Sequence, residues 1–214
     1  MTPDETQLES FIASRLAPDP AHDLAHVRRV VENARHLAAR EGADLAIVMP
    51  AAWLHDCVSL PKNHPDRHLA SRQAAAMATD FLRAQGIDER LLSAIGHAIE
   101  AHSFSAGIAP TTLEAKIVQD ADRLDALGAI GIARCLLTGG SIQRPLYSVD
   151  DPFCDEREPD DSRFCIDHFY RKLFAIAQTL HTDAARREAE GRVAYMRQFL
   201  AQLGHEIGES AKPA

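Results

Sequence analysis

The sequence predicts an all-α protein. Apolar residues recur at helical spacing along most of the chain, sustained apolar–polar alternation is absent, and β-branched residues are scattered. Val27, Val30, Val31, Ala34, Leu37 and Ala38 follow the i, i+3, i+4, i+7 rule, and Gly42 closes that segment. Residues 44–58 form a second apolar segment with Pro50 inside it. An interior proline costs a helix about 3 kcal/mol, so a kink or a helix start is expected there. Residues 66–85 are Ala-rich and end at Gly86. Asp88 suits the N-cap of a helix through about His102, and Thr111 or Thr112 that of another through Leu127. Thr111 and Glu114 have capping-box spacing.

Residues 138–163 break the pattern. Gly139-Gly140 opens the stretch, Pro145, Pro152 and Pro159 punctuate it, and seven of the twelve residues from Asp150 to Asp161 are acidic. A long acidic surface loop is expected. Helical patterning resumes at 164–180 and 183–207, and the tail from Gly208 should fray.

With 214 residues, 46% hydrophobic and 25% charged, the chain has the composition of a soluble globular protein. Surface scaling lets a chain of this size bury about 70% of its surface. A single helical domain spanning 1–214 is therefore expected. Its core covers about 20–137, with the C-terminal helices of 164–207 packed on it.

The net charge is −8, from 23 Lys+Arg and 31 Asp+Glu. Such a chain has no general attraction for phosphate backbones, which argues against nucleic acid as a bulk partner. Small phosphorylated ligands stay open, because a bound cation inverts the local sign of a site. The four cysteines have no CxxC spacing and read as reduced thiols of a cytoplasmic protein. The acidic N-terminus lacks the layout of a signal peptide, and the longest uncharged apolar run, Leu45 to Leu54, is too short to span a bilayer. No membrane partner is expected, and the oligomeric state stays open.

Histidine is unusually frequent at 11 residues. Three separated pieces combine histidine and aspartate beside apolar, core-facing positions: His22-Asp23-Leu24-Ala25-His26, His55-Asp56, and Asp120-Ala121-Asp122-Arg123-Leu124-Asp125. Charged groups bordering a core are costly unless paired or metal-bound, so the three together point to one shared cation. Neighbours on a helix point about 100° apart. His55 and Asp56 can thus reach one ion only at the inner edge of a bundle or where the helix turns. His22-Asp23-x-x-His26 also imitates a zinc-protease HExxH with Asp in place of Glu, but that reading leaves His55, Asp56 and Asp122 without a role.

The order His…His-Asp…Asp resembles the HD-domain superfamily of metal-dependent phosphohydrolases. Four longer strings are similar to its small bacterial YedJ/YpgQ-like branch. They are HDLAHVRRV (22–30), HDCVSLPKNHP (55–65), AHSFSAGIAP (101–110) and EAKIVQDADRLDALGAIGIAR (114–134). The resemblance runs from about residue 20 to 200 and implies an HD-type helical bundle. It also implies one divalent metal held by His26, His55, Asp56 and Asp122. Pro50 departs from what the family's helix leads one to expect. His26 is preferred over His22 by its place in the string, and Asp122 over Asp120 and Asp125 by its place in Ala-Asp-Arg-Leu. Asp120, four residues from Lys116, is expected to pair with it.

Two imidazoles and two carboxylates without thiolates suit Mn²⁺, Fe²⁺, Co²⁺, Ni²⁺ or Zn²⁺, with Mn²⁺ the expected ion. Such a metal activates a water and polarises a phosphoryl group at once. Asp56, His102 and Lys116 are the expected catalytic residues, and Arg29, Lys62, Asn63, His64 and Arg123 the expected substrate contacts. These roles rest mainly on the resemblance. His97 and the C-terminal His168, His181 and His205 are read as structural or solvent-facing. Gly128 and Gly131 are read as allowing close packing or a kink.

The expected function is hydrolysis of nucleoside triphosphates to monophosphate and pyrophosphate. A nucleotide monophosphatase or broader phosphomonoesterase is the alternative on the same site. A non-catalytic nucleotide-binding module is a third, which usually shows lost ligands where this chain keeps all four.

Overall fold

The computed structural model describes residues 3–16, 23–58, 60 and 64–209, and among these every regular element is helical. The chain forms two compact units, Met1–Asp122 with His181–Ala185, and Arg123–Leu180 with Arg186–Ala214. None of the described helices is long and apolar enough to cross a membrane.

In the first unit, α1 (Glu5–Ala13), α2 (Leu24–Glu41), α4 (Ala70–Ala84) and α5 (Glu89–His102) all pack against α3 (Leu45–Leu54). The reason lies in the α3 sequence, whose residues from Val48 to Leu54 are all buried. A helix apolar on every side must be enclosed. Pro50 neither starts nor ends it. The helix runs on through Pro50, losing one hydrogen bond that burial of both flanks offsets. Short polar side chains cap the helices as their sequences suggest: Asp23 accepts from the His26 N–H at 2.8 Å, Asp44 from Ala46 at 2.8 Å, and Asp88 from Arg90 at 2.8 Å.

One helix is added to the sequence expectations and three of them are corrected in detail. The helix α1 was not anticipated, although Asp4 caps it and Leu8 and Ile12 bury one face. Thr112, and not a Thr111–Glu114 box, accepts the Ala115 N–H at 3.1 Å. Glu114 instead accepts the Asp44 N–H. The helix α6 (Leu113–Leu124) stops short of Leu127, because 125–127 form a tight turn and Gly128 takes the left-handed region at φ 70°. Finally, α7 (Gly128–Ser141) extends through Gly139 and Gly140.

The second unit holds α7, α8 (Phe174–Ala177) with the π turn Phe169–Leu173 before it, and most of α9 (Asp183–Ile207). The acidic stretch after Ser141 is irregular but internally bonded. The Asp151 carboxylate accepts the N–H groups of Asp155, Glu156 and Arg157, and Arg157 makes a two-pronged pair with buried Asp167 at 2.5 and 2.7 Å. Helix 164–180 is thus shorter than expected, since the segment up to Ile166 belongs to this bonded loop. Cys57, Cys135, Cys154 and Cys165 are all free thiols.

Gly131 marks a close approach. A Cβ there would run into the Ala126 carbonyl, which cannot move without opening the turn between α6 and α7. Gly131→Ala is expected to cost about 1–3 kcal/mol, by the usual penalty for overpacking. A thermal melt checks this, and an unchanged midpoint would show that the turn yields freely.

Candidate metal centre

Three segments of the first unit bring imidazoles and carboxylates to one point. Asp23 fixes the first turn of α2 and sets His26, 1% exposed, on its inward face. The helix α3 ends at Leu54, so His55 is its C-cap and Asp56 lies in the turn that follows. The change of direction removes the 100° separation that a continuing helix would impose on two neighbours. Asp122 comes from the last turns of α6, and His102 is the final residue of α5. Two polar bonds hold these helices in register. Asn33 Nδ2 donates to the Ala121 carbonyl at 3.2 Å, and Gln119 Nε2 donates to the Ala101 carbonyl at 2.5 Å.

The ligand atoms of His26, His55 and Asp56 lie within 4.8 Å of one another. His26 Nε2 is 3.7 Å from Asp56 Oδ2 and 3.5 Å from Asp122 Oδ1. His55 Nε2 is 3.6 Å from Asp56 Oδ2, and His102 Nε2 is 3.5 Å from Asp56 Oδ1. These separations exceed good hydrogen bonds. They suit donors grouped around a common centre.

His55 supplies the test of whether a cation fits. Its Nδ1–H donates to the Ala52 carbonyl at 2.8 Å, which leaves the lone pair on Nε2. That atom is fully buried, faces Asp56 and has no hydrogen-bond partner. A buried polar atom left unsatisfied costs about 1–3 kcal/mol. A divalent cation removes that cost, and imidazole nitrogen with carboxylate oxygen is a donor set for a transition metal. The donor set fits. His102 is held the same way, its Nδ1–H donating to the Ile99 carbonyl at 2.6 Å, with Nε2 turned to Asp56.

Burial pushes the His55 imidazole below its usual value and keeps it neutral, the form a metal takes. Burial alone would raise the Asp56 carboxyl, but the surrounding imidazoles of His55, His102 and His26 hold it well below the usual range. For His102, burial is outweighed by the Asp56 carboxylate, which raises its imidazole.

Other expected site residues lie elsewhere or are less engaged. Arg29 is half-buried one turn along α2 from His26, and Lys116 is half-buried on α6. His64 is exposed and accepts the Asp66 N–H at 3.1 Å. Arg123, in the second unit, donates to the Thr179 carbonyl at 2.7 Å and hydroxyl at 3.0 Å. His22, Lys62 and Asn63 fall outside the described residues.

Asp120 does not pair with Lys116. Its fully buried carboxylate accepts the backbone N–H groups of His181 and Thr182 and the Thr182 hydroxyl. Asp125 binds Arg134 at 2.8 Å. Of the three aspartates on this stretch, only Asp122 reaches the histidine cluster. His97 accepts the Thr111 N–H at 3.1 Å and His168 pairs with Asp161 at 2.7 Å, both structural roles.

Sequence reasoning passed over four residues at the site. Arg67, Ser71, Ser103 and Ser105 line a cleft of about 50 Å³ together with Asp56 and His102. Nothing in their spacing distinguishes them from an ordinary arginine and three serines near helix ends.

The HD domain family model matches residues 23–127, the span that contains every residue of the cluster. The chain is 34% identical over 206 residues to the uncharacterized protein YpgQ of Bacillus subtilis, covering 94% of this chain and 92% of that one. Among solved structures, an HD-superfamily hydrolase from Bacillus thuringiensis superposes with a TM-score of 0.74 at 34% identity, covering 94% of this chain and 95% of that one. Bacillus subtilis YpgQ in complex with ADP gives a TM-score of 0.72 at 32% identity, covering 94% and 93%. By its cluster, its helical fold and these relatives, the chain belongs to the HD-domain family.

Proposed function

We propose that this protein is a metal-dependent phosphohydrolase that cleaves nucleoside triphosphates to monophosphate and pyrophosphate. The observation that carries the reading is the buried, unpartnered Nε2 of His55 facing Asp56, in a cluster with His26 and Asp122. His26, His55, Asp56 and Asp122 would hold one divalent transition metal, Mn²⁺ by choice of ligand set, which when bound supplies a Lewis acid for the phosphoryl oxygen and lowers the pKa of a water. The nucleotide part of the reading is supported by the relative solved in complex with ADP.

The chain's own residues divide the remaining work. Burial pushes the His55 imidazole below its usual value, and the Nδ1–H bond to the Ala52 carbonyl leaves the lone pair on Nε2. His102 stands at the edge of the cluster with its raised imidazole, in position to hold a proton at Nε2 and pass it to a departing phosphate oxygen. Lys116 and Arg29, half-buried on α6 and α2, would add positive charge where negative charge grows on outgoing phosphates.

The bond that breaks is tested by running the reaction in ¹⁸O-water. Attack at the α-phosphorus puts the label in the monophosphate, the expected result. Label only in orthophosphate would refute this register and favour a phosphatase. The absence of turnover with added Mn²⁺ would favour a nucleotide-binding module.

A further inference from the structure

We propose that the cleft beside Asp56 and His102 is an oxyanion site for a substrate phosphoryl group, held by Arg67 and Ser71 with Ser103 and Ser105 at its rim. The proposal rests on the phosphohydrolase reading and locates the substrate within it.

Ser71 is the first observation. It is 2% exposed, it lines the cleft, and its Oγ has no hydrogen-bond partner among the described residues. A hydroxyl buried without a partner is costly, and an acceptor bound in the cleft would relieve that cost. It sits on the second residue of α4, whose N-terminus carries no side-chain cap and presents the positive end of a fifteen-residue helix.

Arg67 is the second, independent observation. It lines the same cleft from the 3₁₀ turn Arg67–Leu69 that leads into α4. Its guanidinium makes neither an ion pair nor a hydrogen bond among the described residues. Arg28, Arg35, Arg83 and Arg157 each hold a carboxylate, whereas the Arg67 guanidinium is left uncommitted at the cleft. A guanidinium fork matches phosphate geometry. The turn Phe104–Ala106 packs on the Arg67 turn, and the Ser103 and Ser105 hydroxyls stand 3.0 Å apart at the opposite wall.

The Asp56 carboxylate shares this cleft and repels an anion. Oxyanion binding is therefore coupled to positive charge at the neighbouring cluster, and Arg67 supplies the part of the attraction that does not depend on it.

The test is calorimetric titration of Mn²⁺-loaded protein with inorganic phosphate, with metal content measured on each variant. Wild type should bind. Arg67→Gln should bind about ten- to hundred-fold more weakly, the range for losing a charged hydrogen bond, and Arg67→Lys should recover part of the loss. Ser71→Ala should weaken binding about three- to ten-fold. It should melt no lower than wild type, because the hydroxyl it removes has no partner in the protein. All variants should keep the wild-type metal content. Phosphate binding that is undetectable in wild type, or equal in wild type, Arg67→Gln and Ser71→Ala, overturns the proposal even if triphosphates are hydrolysed. If instead phosphate binds through Arg67 but no phosphate ester or anhydride is cleaved, the site stands and the phosphohydrolase reading falls.

Discussion

Replacing His55 by alanine is expected to lower triphosphate hydrolysis by about three orders of magnitude or more, while the helical circular-dichroism spectrum stays that of wild type. The reason is the position of its Nε2. That atom is buried, without a hydrogen-bond partner, and held toward Asp56 by the Nδ1–H bond to Ala52. Losing it would remove a ligand of the proposed metal, whose Lewis acidity is worth several kcal/mol of transition-state stabilisation. The stability change is smaller. Loss of a ligand bound at a hundred times its dissociation constant costs about 2.7 kcal/mol, and a metal-free wild type should show the same drop. Asp122→Ala should likewise lose most of the metal, because a carboxylate donor and its charge go together, whereas His22→Ala should retain it. The reverse pattern would contradict the His26, His55, Asp56 and Asp122 set and favour the arrangement in which His22 and His26 share an ion.

Asp120→Ala, two residues away on the same helix, should do the opposite: it should unfold the protein easily and leave the ligand set chemically intact. Its carboxylate is fully buried and accepts the His181 N–H at 2.9 Å, the Thr182 N–H at 2.8 Å and the Thr182 hydroxyl at 2.8 Å. Alanine leaves these buried donors unpaired. At about 1–3 kcal/mol for each buried group left unsatisfied, the expected loss is about 3–5 kcal/mol, or a midpoint fall of roughly 6–20 °C for a chain of this length. Denaturant melts of metal-free Asp120→Ala and Asp122→Ala, side by side, separate the two roles. Equal midpoints would show that Asp120 does not anchor the His181–Ala185 segment.

What the sequence reveals here follows from which interactions are local. The helices α2, α5 and α9 are legible because their apolar spacing and capping residues act over a few positions. Asp23 and Asp88 bond to N–H groups within three residues. The enclosure of α3 follows from its ten uncharged residues. The end of α6 is different, since it depends on the left-handed Gly128 and on the Arg192 guanidinium that takes the Leu124 carbonyl at 2.7 Å from 68 positions away.

The site divides in the same way. His26, His55, Asp56, His102 and Asp122 stand in strings long enough to identify as a set, and the structure brings all five together. Asp120 could not be assigned from sequence. Its i,i+4 spacing to Lys116 is a good local pair, yet the partners it has are 61 and 62 residues away. Arg67 and Ser71 were invisible for a related reason. They matter only because the turn at Phe104–Ala106 packs on the turn at Arg67–Leu69, a contact no local pattern records.

Hydrolysis is proposed to depend on one metal site formed by His26, His55, Asp56 and Asp122. The most direct measurement is a titration of chelator-stripped protein with Mn²⁺, following triphosphate hydrolysis against bound metal per chain. The expected result is no turnover in the stripped protein and activity that rises in proportion to metal, reaching its plateau at one ion per chain. Stripped protein that hydrolyses triphosphate at the wild-type rate would contradict it.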